Sequence, residues 1–461
     1  MTHDSTNFKA TDMTQRTRLP FRRTGLGISL SLIFWAGSAP VAMAVKDYYQ
    51  PDMEPEIISK STHASGLPSI SDNGRYVAYI ANIVKYDGEQ QRDQIFLWDD
   101  HVKKHVLISQ DNQNSLGKQA EGNSLYPSLS GDGSRVAYIS DSRDIDPVCD
   151  DGHMSVYLRM VGQTKTSKCL SRPSTGTKAN GGSPYAPSLS GDGKKVGWTS
   201  EASNLVSNDN NGKVDVFLWS NTDSTIRLVS LDSEGNQANG HSDWLRLDKS
   251  GQRAVFMSAA SNLVANDSNG VIDVFLRDIA RGKTARVSVS SSGEQGNGLS
   301  AGPSISRDGK HVVFASAASN LVDNDTNGQF DIFVHHLDSA MTERVSIAVD
   351  GGEANGASDF AGITGDGRCV VFQSRATNLV ADDTNGKEDA FVHDLLTHST
   401  VRINQGKTGQ EANGDSTFPV ISADGTTVAF GFNASHLTNG STQKGGEPAV
   451  YIEKLPAGMC H

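Results

Sequence analysis

Residues Leu321 to Val334 read LVDNDTNGQFDIFV, and three further stretches repeat the pattern as LVSNDNNGKVDVFL, LVANDSNGVIDVFL and LVADDTNGKEDAFV. In the fullest copy, oxygen-bearing side chains stand at positions 1, 3, 5 and 9 of nine: Asp323, Asp325, Asn327 and Asp331, with Gly328 at the sixth. Alternate residues of a tight loop can converge on one ion, a glycine permits the sharp turn, and Ca²⁺ takes roughly six to eight oxygen ligands. The chemistry on offer is capture of a hard divalent cation. The other copies keep Asp209, Asn211 and Asp215; Asp267, Asn269 and Asp273; and Asp383, Asn385 and Asp389. They carry Ser207, Ala265 and Ala381 at the first position, so each loses a carboxylate that water must replace.

The same residues also admit a structural reading. Asp and Asn bond backbone N–H groups in Asx turns and Gly supplies positive φ. Asp215, Asp273, Asp331 and Asp389 each stand just before a β-type run, where they can tie the loop down. Both readings stay open at this point. The pattern D-x-D-x-N-G-x-x-D resembles the calcium loops of integrin-type propellers and the start of an EF-hand loop.

The loops recur because the whole chain recurs. Units beginning at 68, 127, 187, 245, 303, 361 and 419 open with PSISDNGRYVAYI, PSLSGDGSRVAYIS, PSLSGDGKKVGWTS, LRLDKSGQRAVFMS, PSISRDGKHVVFAS, AGITGDGRCVVFQS and PVISADGTTVAFGF. Each begins with a short strand, passes in most copies a D-G or N-G pair that suits a two-residue hairpin turn, and continues as an alternating strand. A third strand (DVFL, DIFV, VYLR) follows the acidic loop, and a fourth (ARVSV, ERVSI, VRINQ) closes the unit. Four antiparallel strands per unit make a propeller blade. The expected fold is all-β, a seven-bladed β-propeller over residues 56–458. The seventh unit stops after VYIEKL without a fourth strand, whereas Glu56 to Lys60 supplies an extra one before the first unit. Pairing the two closes the ring and hides two sheet edges.

The run P-S-[IL]-S-x-D-G-x-x-[VI]-[AV]-[FY] followed by D-[VI]-[FY]-[LV] resembles the repeat of TolB-like propellers, relatives of the WD-type propellers. The resemblance implies the architecture and an exported location. It departs from TolB in three ways: residues 45–55 leave no room for the α/β domain that TolB carries, S-G-D-G, S-R-D-G or S-A-D-G stand for S-P-D-G, and there are seven units where TolB has six blades. Membership of the Tol envelope complex does not follow.

Residues 1–44 read as a secretory signal: Arg16, Arg18, Arg22 and Arg23 precede ISLSLIFWAGSAPVAMA, which ends in an A-x-A site at Ala42 to Ala44. The apolar run is shorter than the ~20 residues that span a bilayer and is interrupted by Gly37 and Pro40. The expectation is cleavage after Ala44, a linker over 45–55, a periplasmic or secreted protein, and no stable membrane insertion after cleavage. Losing the five basic and two acidic side chains of the signal takes the net charge from −12 to −15, which disfavours nucleic acid as a partner. Export permits disulfides among Cys149, Cys169, Cys369 and Cys460, and the first two share one unit. Connectivity is not legible from sequence.

Enzymatic signatures are lacking. There is no H-E-x-x-H, no phosphate loop and no dinucleotide fingerprint. His335, His336 and His393 fall on third strands, where packing explains them. A second repeated loop places Asn180, Asn239, Asn297, Asn355 and Asn413 to clasp the neighbouring acidic loop. Function tends to break symmetry, and the breaks are Trp198 and Trp244, the latter beside His241 and Asp243, with DSRDIDPVCDDGHMS of the second unit as a further divergent stretch. An exposed Trp244 can stack on a sugar or anchor a peptide. The chain therefore reads as an exported, non-catalytic scaffold that binds a protein or glycan and takes Ca²⁺ where its acidic loops hold it. The competing reading is a propeller enzyme, a lactonase, lyase or other hydrolase, with a metal in the central channel.

Overall fold

A computed structural model describes residues 56–59, 67–83, 92–112, 118–149, 152–162, 166–406, 410–433 and 448–461. The expected signal and linker lie outside the described residues. Among the described residues, 28 strands form seven four-stranded antiparallel sheets, with one 3-10 turn at Pro147–Cys149. In blade four the strands Ser242–Leu247, Arg253–Ser258, Asp273–Asp278 and Lys283–Arg286 follow one another outward from the axis, and the other blades repeat this order.

Alternation along the second and third strands sends one aromatic from each into the blade. The pairs Tyr79–Phe96, Tyr138–Tyr157, Trp198–Phe217, Phe256–Phe275, Phe314–Phe333, Phe372–Phe391 and Phe430–Tyr451 stack with ring centroids 5.7–6.2 Å apart. Each buried aromatic removes about 150–250 Å² from water, so these pairs anchor the cores of the blades. Trp198 belongs to them: it is fully buried, so its departure from the repeat is a packing variation.

The first hairpin of each blade differs from the expected two-residue turn. Gly74 N–H meets Ser71 C=O at 3.1 Å, Ser71 N–H meets Tyr76 C=O at 2.9 Å, and only the glycine is left-handed, at φ 67°. The Asn73 side chain occupies the turn instead, accepting from the Ser71 hydroxyl at 2.9 Å and the Arg75 N–H at 3.1 Å. The turns then link blade to blade through backbone hydrogen bonds around one end of the axis. Asp72 N–H donates to Gly131 C=O, Gly131 to Gly191, Asp192 to Lys249, Lys249 to Arg307, Asp308 to Gly365, Gly365 to Ala423, and Asp424 back to Asp72, all within 2.8–3.1 Å. The circle is closed.

Glu56–Ile57 pairs with Ala449–Lys454 as the outermost strand of blade seven, Glu56 opposite Ile452 and Ile57 opposite Tyr451. Ile58 extends the pairing through its N–H to Val450 C=O at 2.9 Å and packs against Ile70, Val77 and Val450. A second latch is covalent: Cys460, beyond blade seven, is joined to Cys369 in the second strand of blade six, Cα to Cα 5.5 Å. Cys149 pairs with Cys169 inside blade two.

Candidate functional site

The acidic loops join second to third strands, so they share the rim opposite the hydrogen-bonded circle. Their last aspartates open the third strands and are fully buried: Asp215, Asp273, Asp331 and Asp389. One carboxylate oxygen of each accepts from a residue at the end of the fourth strand, Ser230, Ser288, Ser346 or Asn404. In blades four, five and six the other oxygen accepts from Asn269, Asn327 or Asn385 at 2.7–3.0 Å, and these amides also donate to Gly296, Ala354 or Ala412 C=O. These contacts give the aspartates and asparagines the loop-fixing role that the turn chemistry allows.

A guanidinium sits among the carboxylates of the same three blades. Arg286 lies 3.2 Å from Asp267 and 3.3 Å from Asp273; Arg402 lies 3.2 Å from Asp383 and 3.5 Å from Asp389; Arg344 lies 3.7 Å from Asp325. Glu353 and Glu411 join the latter two sets at 3.2 and 2.8 Å. Even so, burial and the neighbouring aspartate push Asp325 and Asp383 up to about 6. Asp323, at the first position of the fullest loop, is exposed. The sequence reading missed these arginines. Their signal was the Arg column of ARVSV, ERVSI and VRINQ, which recurs in the three blades and is replaced by Leu228 in blade three. In blade three Asp209 meets, among the described residues, only the Gln237 amide, at 3.3 Å.

The clasps are present. Asn180, Asn239, Asn297 and Asn355 each exchange hydrogen bonds with the start of the following acidic loop, at Ser203, Ser261, Ser319 and Thr377.

Symmetry breaks inside the channel. The first strands of blades two, four, five, six and seven carry a register shift at their third residue, and that residue is left-handed: Tyr126 (φ 54°), Trp244 (51°), Gly302 (60°), Phe360 (49°) and Phe418 (52°). Leu67, before the first strand of blade one, matches them at φ 86°. A bulge of this kind re-aims the side chain, and for an aromatic residue the left-handed region costs on the order of 1–3 kcal/mol. The re-aimed rings form a collar. Trp244 of blade four meets Phe360 of blade six at 6.1 Å across the gap left by Gly302, and Phe360 meets Phe418 edge-on at 4.6 Å. Gln373 holds the Phe418 bulge by accepting its N–H at 2.8 Å. Tyr126, Trp244, Phe360 and Phe418 are all half-buried.

Two charged residues adjoin Trp244 in the first strand of blade four. The Arg246 guanidinium lies over the Trp244 ring at 5.2 Å and donates to Leu245 C=O; burial pushes it down to about 10. Asp243 has no hydrogen-bond or ion-pair partner among the described residues, and loss of water pushes its carboxyl up to about 7. Tyr185 of blade three stands beside it, pushed up to about 12 by burial and then by the Asp243 charge. Of the three residues singled out in the fourth unit, Trp244 joins the collar, Asp243 faces Tyr185, and His241 stands apart from both. His241 is exposed on the rim, where its Nδ1 accepts the Val214 N–H at 3.0 Å and fixes the blade-three loop. His335 and His393 are buried against Thr342 and Thr400, and His336 pairs with Glu343 at 2.7 Å. Among the described residues, no three His, Cys, Asp or Glu side chains gather as metal ligands.

No family model and no curated protein matches the chain. Solved structures do. The β-propeller domain of the trilobed protease from Pyrococcus furiosus is similar with TM-score 0.53, 10% identity, and coverage of 87% of this chain and 95% of that one. Oligogalacturonate lyase from Vibrio parahaemolyticus is similar with TM-score 0.52, 10% identity, and coverage of 88% and 92%. TolB from Acinetobacter baumannii is similar with TM-score 0.41 and 15% identity over 72% of this chain, which spans 64% of that one. The fold is a seven-bladed propeller, and the structures similar to it include TolB. The Pyrococcus domain is described as having an open velcro topology, whereas Glu56–Ile57 closes this ring. Among the described residues no helix is long and apolar enough to cross a membrane.

Proposed function

We propose that this chain is an exported binding propeller that takes a glycan at the aromatic collar, without catalysing a reaction on it. One observation carries the reading: Trp244 and Phe360, from blades that are not neighbours, hold left-handed backbone and meet across the channel mouth. Backbone strain of this kind concentrates at functional sites. Half-exposed ring faces suit the apolar face of a pyranose, and Asp243 and Arg246 offer an acceptor and a donor for hydroxyls beside them. The two disulfides fit an oxidising compartment such as the periplasm.

The likeness to an oligogalacturonate lyase is one of fold, but it keeps an enzyme in view as the second reading, because a carboxyl near neutrality in a cleft is suited to moving a proton. An array of bacterial glycans and a peptide library, each probed with wild type and Trp244→Ala, tests the proposal. Glycan hits that quench tryptophan fluorescence and weaken at least about tenfold in the variant are expected. Peptide hits alone, hits indifferent to Trp244→Ala, or chemical turnover of a bound glycan overturn it.

A further inference from the structure

Blade three breaks the rule that the other acidic loops obey. In blades four, five and six a fourth-strand arginine enters the loop, but the equivalent residue of blade three is Leu228, which packs into the apolar cluster with Val196, Phe217 and Trp219. Two aspartates are left without a cation. Asp215 is fully buried; one carboxylate oxygen accepts from Ser230 at 2.6 Å, and the other has no hydrogen-bond partner. The equivalent oxygens of Asp273 and Asp389 are the ones that face Arg286 and Arg402 at 3.3 and 3.5 Å. By the symmetry of the repeat, the unsatisfied oxygen of Asp215 points to the place that a guanidinium fills elsewhere. Asn211, which meets the aspartate in the other blades, donates to Ala238 C=O at 3.0 Å here; its amide is near enough to favour the Asp215 anion but outside hydrogen-bond geometry.

We propose that blade three binds one divalent, oxygen-seeking cation, Ca²⁺ by preference, between Asp209 and Asp215, in place of the guanidinium of blades four to six. Such a cation accepts carboxylate oxygens and completes its shell with water, and Asn208 and Asn210, which flank the buried Asp209, are exposed. It offsets two buried anions that the neutral Gln237 amide cannot.

The test is thermal unfolding of the full chain in millimolar CaCl₂ and in EDTA, with calorimetric titration of CaCl₂ alone. Wild type is expected to bind one ion per chain and to unfold about 3 °C higher in calcium at a hundredfold excess over Kd. Leu228→Arg restores the guanidinium and abolishes both responses. Asp209→Asn, at the less buried of the two ligands, abolishes them without loading the core, so the result does not depend on the arginine variant folding. Asp325→Ala in blade five leaves the response intact. Equal wild-type midpoints in calcium and EDTA, a stoichiometry of several ions, or a response surviving Asp209→Asn overturns the proposal.

Discussion

Arg307 Nε meets Asp72 Oδ1 at 2.8 Å, and the two residues belong to blades five and one, which are not neighbours in the ring. The pair lies across the circle of hydrogen-bonded turns, where both residues line a cavity of about 470 Å³ together with Lys249, Asp308, Asp366 and Asp424. It narrows that end of the channel, so a ligand of the proposed collar would enter from the loop rim.

Gly131 makes this arrangement possible. A Cβ there would meet Asp72 Oδ2 at 2.1 Å, so Gly131→Ala must displace the Asp72 carboxylate. We expect a loss of about 1–3 kcal/mol in urea denaturation. Arg307→Ala, which removes a partly exposed pair, should cost no more than about 1 kcal/mol. Equal losses in the two variants would contradict this division between sterics and charge.

The collar carries a pH dependence. Asp243 titrates at about 7 in the folded protein against 3.8 ordinarily, a raised value. Folding therefore favours its protonated form: the contribution is full below the ordinary value and is lost as pH rises through 7. Asp243→Asn should match wild type in thermal midpoint near pH 4, exceed it at pH 8, and flatten the curve between. A wild-type advantage at pH 8 would mean that the anion is favourably held.

Closure of the ring should be measurable at Ile58, which is 1% exposed. Ile58→Ala removes packing from blade seven and loosens the edge of Ala449–Lys454, with an expected cost of about 2–5 kcal/mol. Faster hydrogen exchange at Val450 to Ile452 should accompany it. Unchanged exchange there would show that the N-terminal strand does not secure the ring.

The two disulfides should differ in worth. Cys369–Cys460 closes 91 residues and Cys149–Cys169 closes 20. Loop entropy makes the longer closure more stabilising by about 1 kcal/mol, with Cys460→Ser expected to cost ~2–4 kcal/mol. Guanidinium denaturation of Cys460→Ser and Cys169→Ser checks the order, and a larger loss in Cys169→Ser would reverse it.

The architecture was legible because a propeller writes itself into the chain seven times. Period, strand alternation and glycine turns are local properties, and the strand missing after VYIEKL pointed to Glu56–Ile57 by simple accounting. Local rules erred only where the turn had two solutions, since S-x-D-G closes with a left-handed glycine after a longer loop.

The site was less visible. Trp244 stood out as a departure from the repeat, but Tyr126, Phe360 and Phe418 occupy the column just before the repeated P-S-[IL]-S segment, where an aromatic residue reads as ordinary strand. The acidic loops announced a cation, yet sequence could not say that Arg286, Arg344 and Arg402 bring one from the protein itself. The sequence by itself determined the repeat, the ring and the carboxylates. Only tertiary structure decided which side chains share the axis and which carboxylates a guanidinium already answers, because both depend on distances between strands far apart in the chain.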